Sequence, residues 1–83
     1  MNNMDADNLY KPVNMADRIK DRAKERHIKL KDMLVSLDLG SNTFSNMRHG
    51  RVPLSDTLAR IADYLDCSVD YLLGRTDNPD INK

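Results

Sequence analysis

Residues 40–50 of the chain carry an unusual run of short hydrogen-bonding side chains. They read Gly40-Ser41-Asn42-Thr43-Phe44-Ser45-Asn46-Met47-Arg48-His49-Gly50. Ser and Asn are poor helix formers that each cost roughly a few tenths of a kcal/mol relative to Ala, so several on one short helix need a chemical reason. An Asn amide can pair bidentately with adenine, and an Arg guanidinium with guanine, in the DNA major groove. The N-terminus of such a helix can also hold a phosphate.

Catalytic and metal-binding patterns are absent from the sequence. It has no phosphate-binding glycine loop, and neither His27 nor His49 has neighbours that would complete a metal site. The single cysteine, Cys67, can form neither an internal disulfide nor a zinc site and is predicted to be a small buried residue. We therefore predict that the chain is not an enzyme and uses no cofactor and no metal ion.

Composition places the chain among small polar globular domains. It has 83 residues, of which 40% are apolar and 31% charged, with a mean hydropathy of −0.65. This length accommodates one domain and one hydrophobic core. No apolar run approaches the ~20 residues of a membrane span, and residues 1–7 do not resemble a signal peptide. These features predict a cytoplasmic protein that does not bind membranes.

The formal net charge is zero, with a sequence pI near 6.7, which excludes a uniformly basic nucleic-acid binder. The charges are nevertheless unevenly distributed. Residues 15–33 contain seven positive and four negative side chains, whereas residues 51–74 contain two positive and four negative ones. This asymmetry predicts one basic face, formed by the N-terminal half, for an anionic partner.

The apolar spacing is helical throughout the middle of the chain. It predicts helices over residues 15–26, 29–37 and 42–49, with Gly40 ending the second. A fourth helix is predicted to begin at the N-cap Ser55, and a fifth to run from the N-cap Ser68 to the closing Gly74. No sustained two-residue alternation indicates a strand. The expected organisation is a flexible arm over 1–14, an all-α domain over 15–75 and a polar tail over 76–83.

From Met15 to Arg75 the sequence resembles the helix-turn-helix domain of the Cro/phage-repressor, or XRE-type, transcriptional regulators. The resemblance rests on the segments 37–50, 58–65 and 68–75, which read LDLGSNTFSNMRHG, LARIADYL and SVDYLLGR. The block 58–78 is also similar to a stretch common in short regulators of Gram-positive bacteria and their phages or mobile elements. The family implies a compact five-helix, repressor-like fold.

The resemblance also implies a role for each part of the domain. The second helix would lie across the DNA backbone and the third would enter the major groove. Phe44 and Met47 would anchor the third helix to the core. The residues expected to face bases are Ser41, Asn42, Thr43, Ser45 and Asn46. The residues expected beside phosphates are Lys29, Lys31, Arg48, His49 and Arg51. The family often has Gln, Ala and Glu at the places that Leu30, Leu34 and Arg48 occupy here.

These features predict a sequence-specific regulator of double-stranded DNA. One small unit reads only a few base pairs, so we expect a homodimer on a two-fold operator, held through the fourth and fifth helices. Repression of a phage or mobile-element type operon is favoured over activation because no ligand-sensing domain is visible. Two alternatives are an antitoxin-like protein-binding module and a control protein of a restriction-modification operon. The identity of any protein partner remains open.

Overall fold

A computed structural model describes residues 10–81, which form five helices and contain no strand. The helices are α1 (Pro12–Glu25), α2 (Leu30–Ser36), α3 (Thr43–Arg48), α4 (Ser55–Tyr64) and α5 (Val69–Leu73). The predicted all-α fold class is confirmed. Four of the helices have ten residues or fewer, and helices this short are marginal alone, so packing onto a shared core must hold them.

The first helix begins three residues earlier than predicted. Pro12 is its first residue, a position where the missing N–H is not needed and the fixed φ favours a helix. The expected flexible arm over 1–14 was therefore wrong for residues 12–14, which belong to α1. Residues 1–9 of that arm lie outside the described residues. The division into arm, domain and tail otherwise stays a prediction.

All five helices end at a residue with left-handed backbone conformation. Two of these residues are Gly50 and Gly74, with φ of 92° and 87°. The other three are His27, Asp38 and Asp66, with φ between 56° and 57°. In each case the next residue's N–H returns to a carbonyl in the last turn of the helix, as in the bond of 2.8 Å from Leu39 N to Leu34 O. The repeated motif explains how five helices fit into so short a chain.

Two of the residues predicted to end or cap a helix were wrong. The second helix ends through the left-handed Asp38 rather than at Gly40, because Asp tolerates this conformation and its carboxylate stays exposed. The residue that caps α4 is Leu54, and Ser55 is already helical. The fifth helix was predicted correctly: the Ser68 hydroxyl accepts the backbone N–H of Tyr71 at 3.0 Å, and Gly74 closes the helix.

The core draws on every helix. Each helix contributes one fully buried large side chain, and the turn between α4 and α5 contributes two more. These residues are Ile19, Met33, Met47, Ile61, Leu65, Cys67 and Leu72. No buried charged or polar residue occurs in the described range 10–81. The cohesion of the domain is therefore hydrophobic, and polar side chains act from its surface.

Arginines join the helices from outside this core. Arg18 of α1 donates to the Tyr71 carbonyl at 3.1 Å and to the Thr76 carbonyl at 2.9 Å, and it pairs with Asp77 at 2.9 Å. Its guanidinium also lies over the Tyr71 ring, 5.0 Å from the centroid. The segment after α5, predicted to be a polar tail, is thus attached to α1. The Pro79 carbonyl, which accepts Ser68 N–H at 2.9 Å, attaches it a second time.

We predict that Arg18→Met lowers the free energy of unfolding by about 1.5–3 kcal/mol, because hydrogen bonds to a charged group are lost while the alkyl stem is kept. Urea unfolding followed by circular dichroism measures the change. Lys20→Met, at an exposed position of the same helix, is the matched control and should change the free energy by less than about 0.5 kcal/mol. Equal effects of the two substitutions would show that the contacts of Arg18 do not stabilise the fold.

Candidate nucleic-acid interface

The outward side of α3 carries a stripe of short polar side chains. Asn42, Ser45, Asn46 and His49 stand at i, i+3, i+4 and i+7, which places them on one face of the helix. Asn42, Ser45 and His49 are exposed, and Asn46 is half-buried. This face therefore offers two amides, a hydroxyl and an imidazole in a row along the helix axis.

The opposite side of α3 holds the helix on the domain. Met47 is 1% exposed, and the half-buried Phe44 packs against the same core cluster. Both residues lie where the sequence predicted the anchors of this helix. A six-residue helix has too few backbone hydrogen bonds to persist alone, so these two side chains fix the direction in which the polar stripe points.

The turn before α3 separates the predicted base-facing residues into two kinds. The Thr43 hydroxyl donates to the Gly40 carbonyl at 2.7 Å, so it stabilises the turn and keeps only its acceptor capacity. Ser41 and Asn42 are exposed, and Asn42 makes no side-chain capping hydrogen bond. A Cβ atom on residue 40 would lie 2.9 Å from the Asn42 amide oxygen, so the glycine leaves space for that amide.

The side chains predicted beside phosphates are also unequal. Lys29, Lys31 and Arg51 are exposed and form no ion pair within residues 10–81. Arg48, by contrast, pairs with Asp17 of α1 at 3.3 Å. The His49 Nδ1 atom lies 2.7 Å from the Ser45 carbonyl and must donate to it. Only a protonated His49 could then donate to a phosphate through Nε2.

A shallow cleft of about 220 Å³ runs beside the polar stripe, between α3 and the segment that leads into α4. Its lining includes the polar Asn46 and Arg51 and the apolar Val52 and Leu54. The last two are 69% and 72% exposed, which is high for such side chains. The cleft gives the edge of the candidate interface an apolar border.

The profile of the Cro/C1-type helix-turn-helix DNA-binding domain matches residues 18–78, which are 61 of the 83 residues and include all of α2 to α5. The chain belongs to this family. No curated protein and no solved structure matches the chain with statistical significance. Membership in the Cro/C1-type family supports a DNA-binding transcription regulator. Domains of this family are typically non-enzymatic.

The sequence resemblance to the Cro/C1-type family is confirmed, and the assignment of α2 and α3 as its helix-turn-helix pair stays a prediction. The role assigned to each individual side chain stays a prediction. Within residues 10–81 no group of three or more His, Cys, Asp or Glu side chains could hold a metal ion. No helix in this range is long and apolar enough to cross a membrane. Burial raises the pKa of the Cys67 thiol, which keeps it in the unreactive protonated form.

Sequence reasoning missed the internal use of the basic residues on α1. Arg22 donates to the carbonyls of Leu65 at 3.1 Å and Asp66 at 2.8 Å, at the end of α4. Arg26 pairs with the Asp66 carboxylate at 3.4 Å. A helix C-terminus combines free carbonyls with the negative end of the helix dipole, so it binds cations. The expected basic face was therefore too large, because Arg18, Arg22 and Arg26 point their charge at α4 and α5. Arg22 also pairs with Glu25 of the same helix at 3.1 Å.

Another arginine contact joins the end of α2 to α4. Arg60 of α4 donates to the Leu37 carbonyl, which is left free at the end of α2. The Tyr64 hydroxyl lies 3.5 Å from the Ser36 hydroxyl on the same side. These contacts connect the end of α2, just before the turn toward α3, to α4. No pattern in the sequence indicated them, because the partners are more than 20 residues apart.

Proposed function

We propose that the chain is a sequence-specific repressor that binds a two-fold DNA operator as a homodimer. The observation that carries the proposal is the stripe on α3, where Asn42, Ser45 and Asn46 present hydrogen-bonding groups on a helix anchored by the buried Met47. An α-helix fits the B-DNA major groove, and amide side chains pair with adenine there. Bases are thus read by side chains that contribute little to the stability of the domain.

The phosphate contacts come from the side chains around this stripe. Lys29 and Lys31, at the start of α2, meet one stretch of backbone, while Arg51, just beyond α3, meets another. Their charges are exposed and unpaired within the described residues, so they are available to phosphates. Ser41 and Thr43, at the start of α3, are placed at bases instead, because the Thr43 hydroxyl donates to the Gly40 carbonyl and can then only accept a hydrogen bond from a base amino group. His49, just beyond α3, is placed beside a phosphate.

A dimer follows from the size of this reading surface. One α3 helix spans only a few base pairs, whereas useful specificity needs two half-sites about one DNA turn, ~34 Å, apart. The surface proposed for dimerisation is the outer side of α4 and α5, where Tyr64, Val69 and Leu73 remain half-buried. Repression is proposed because operator occupancy alone blocks a polymerase. The resemblance of residues 58–78 to short regulators supports a phage or mobile-element type operon.

Selection from random duplexes tests the proposal directly. The purified protein should enrich an inverted repeat, and its affinity for that duplex should fall steeply with salt because counterions are released from the DNA. Sedimentation of the complex should give two chains on each duplex. If no sequence is enriched, the claim of specific recognition is wrong. If single half-sites without symmetry are enriched, the dimer is wrong. A reporter promoter that carries the selected repeat should become less active when the protein is expressed.

A further inference from the structure

One ion pair of α3 has no sufficient structural reason. Arg48 ends this helix, and its Nη1 atom lies 3.3 Å from the Oδ1 atom of Asp17 on α1. The two side chains remain 39% and 58% exposed. Exposed single ion pairs add little to folding stability because water screens them and two flexible side chains must be ordered. The anchoring of α3 already comes from Met47 and Phe44.

The position of Asp17 has an electrostatic consequence at the candidate interface. Its carboxylate pairs with Arg48 at the end of α3, and His49 and Arg51 follow directly after that end. A carboxylate at this place repels DNA phosphates and partly neutralises the charge of the Arg48 guanidinium. Of the five N–H donors of Arg48, only one reaches Asp17, so the side chain can turn to a phosphate if the carboxylate is neutralised.

We propose that Asp17 is a selectivity residue that restrains Arg48 and so limits the affinity of the domain for the DNA backbone. The inference rests on the proposed function, since it needs α3 to lie against DNA. Non-specific binding depends on phosphate neutralisation alone, whereas specific binding also includes base contacts. Keeping one cation away from the phosphates therefore removes a larger fraction of the binding free energy for non-specific DNA than for specific DNA. The arginines of α1 do not add to this binding, because Arg18, Arg22 and Arg26 contact α4, α5 and the segments that follow them.

Asp17→Asn tests this restraint with almost no change in side-chain shape. The probe is poly(dI–dC), which needs no operator, and binding is measured by fluorescence anisotropy over a range of KCl concentrations. Asp17→Asn should bind on the order of threefold more tightly at low salt. The slope of log affinity against log salt should become steeper by about 0.9, the value for one more phosphate contact. Thermal unfolding of the variant should remain close to that of the wild type.

The matched control is Asp70→Asn, which removes the same charge from another exposed pair. Asp70 lies 3.6 Å from Arg75, and the side chains are 60% and 58% exposed. This pair is at α5, which packs against α1 and α4. Asp70→Asn should leave affinity and slope unchanged. An equal gain in both variants would mean that net charge, not the restraint on Arg48, governs binding, and would overturn the proposal.

A double-mutant cycle with Arg48→Gln identifies the cation that is released. In the wild-type background Arg48→Gln should change affinity little, whereas in the Asp17→Asn background it should abolish the gain. Additive effects would overturn the restraint. So would weaker binding by Asp17→Asn, which would mean that the carboxylate aims Arg48 at DNA. If the wild type binds no DNA at all, the proposed function and this inference fail together. If it binds but Asp17→Asn gains nothing, only the inference fails.

Discussion

Asn42→Ala should lower the affinity for the selected duplex by about 1–3 kcal/mol, or roughly 5- to 150-fold, and relax the sequence preference at one position of each half-site. The amide is exposed at the start of α3 and makes no capping hydrogen bond, so its removal leaves the fold intact. Affinity for poly(dI–dC) should not change, because base contacts contribute nothing there. Anisotropy titrations against both duplexes give the two values.

Arg51→Ala is the matched comparison for this experiment. Arg51 is exposed, and its one hydrogen bond within residues 10–81 runs from its backbone N–H to the Asn46 carbonyl at 2.9 Å. Loss of its charge should weaken binding to both duplexes by a similar factor and reduce the salt slope by about 0.9. The proposed division between base-facing and phosphate-facing residues thus predicts that Asn42→Ala weakens binding to the selected duplex alone, whereas Arg51→Ala weakens binding to both duplexes. If Asn42→Ala and Arg51→Ala weaken both duplexes alike, that division is wrong.

Met47→Ala should lower the free energy of unfolding by about 2–5 kcal/mol, the usual range for truncating a fully buried Met. Only 1% of this side chain is exposed, and it is the one fully buried side chain of α3. Small domains have roughly 5–15 kcal/mol of stability, so this loss would be a large fraction of the total. Urea unfolding followed by circular dichroism measures the loss.

Two further variants separate packing from general sensitivity at this site. Met47→Leu keeps most of the volume and should lower stability by less than about 1.5 kcal/mol. Val52→Ala removes an apolar side chain that is 69% exposed, close to the same cleft, and should change stability by less than about 0.5 kcal/mol. A loss below about 1 kcal/mol for Met47→Ala would contradict the assignment of this residue as the anchor of α3.

The sequence predicted the helices and the buried anchors well because both depend on local patterns. Apolar spacing located all five helices, and Ser68 and Gly74 marked α5 through their side-chain and backbone chemistry. Boundaries failed where the deciding residue has no unique signature. Asp38 takes a left-handed conformation for which Gly40 was the obvious candidate. Pro12 starts a helix although it was expected to lie in an arm.

Long-range polar contacts could not be predicted in the same way. Arg18 and Arg22 were counted in the basic face predicted for an anionic partner, but their long-range partners lie 43 to 59 residues further along the chain. Nothing in composition or spacing identifies which carbonyl a guanidinium will reach. The charge asymmetry of the sequence is real, yet part of it holds the domain together instead of facing a partner. This is why segment charge overestimated the basic surface.

The candidate site shows the same limit at the level of single residues. Sequence position placed Arg48 beside phosphates because it ends α3, but its partner in the structure is Asp17, 31 residues earlier. Thr43 was predicted to face bases, whereas its hydroxyl donates to the Gly40 carbonyl. Asn42 and Ser45 are exposed on the predicted face. The pattern of residue types indicated the helix, and only the geometry distinguished the available side chains from the engaged ones.

Methylation interference on the selected duplex tests the central claim, that α3 reads bases in the major groove. Methylation of guanine N7 modifies the major-groove edge, whereas methylation of adenine N3 modifies the minor-groove edge. We predict that N7 methylation blocks binding at guanines within each half-site, and that N3 methylation there has no effect. Interference from adenine N3 alone, or from neither modification, would contradict the proposed position of α3 in the major groove.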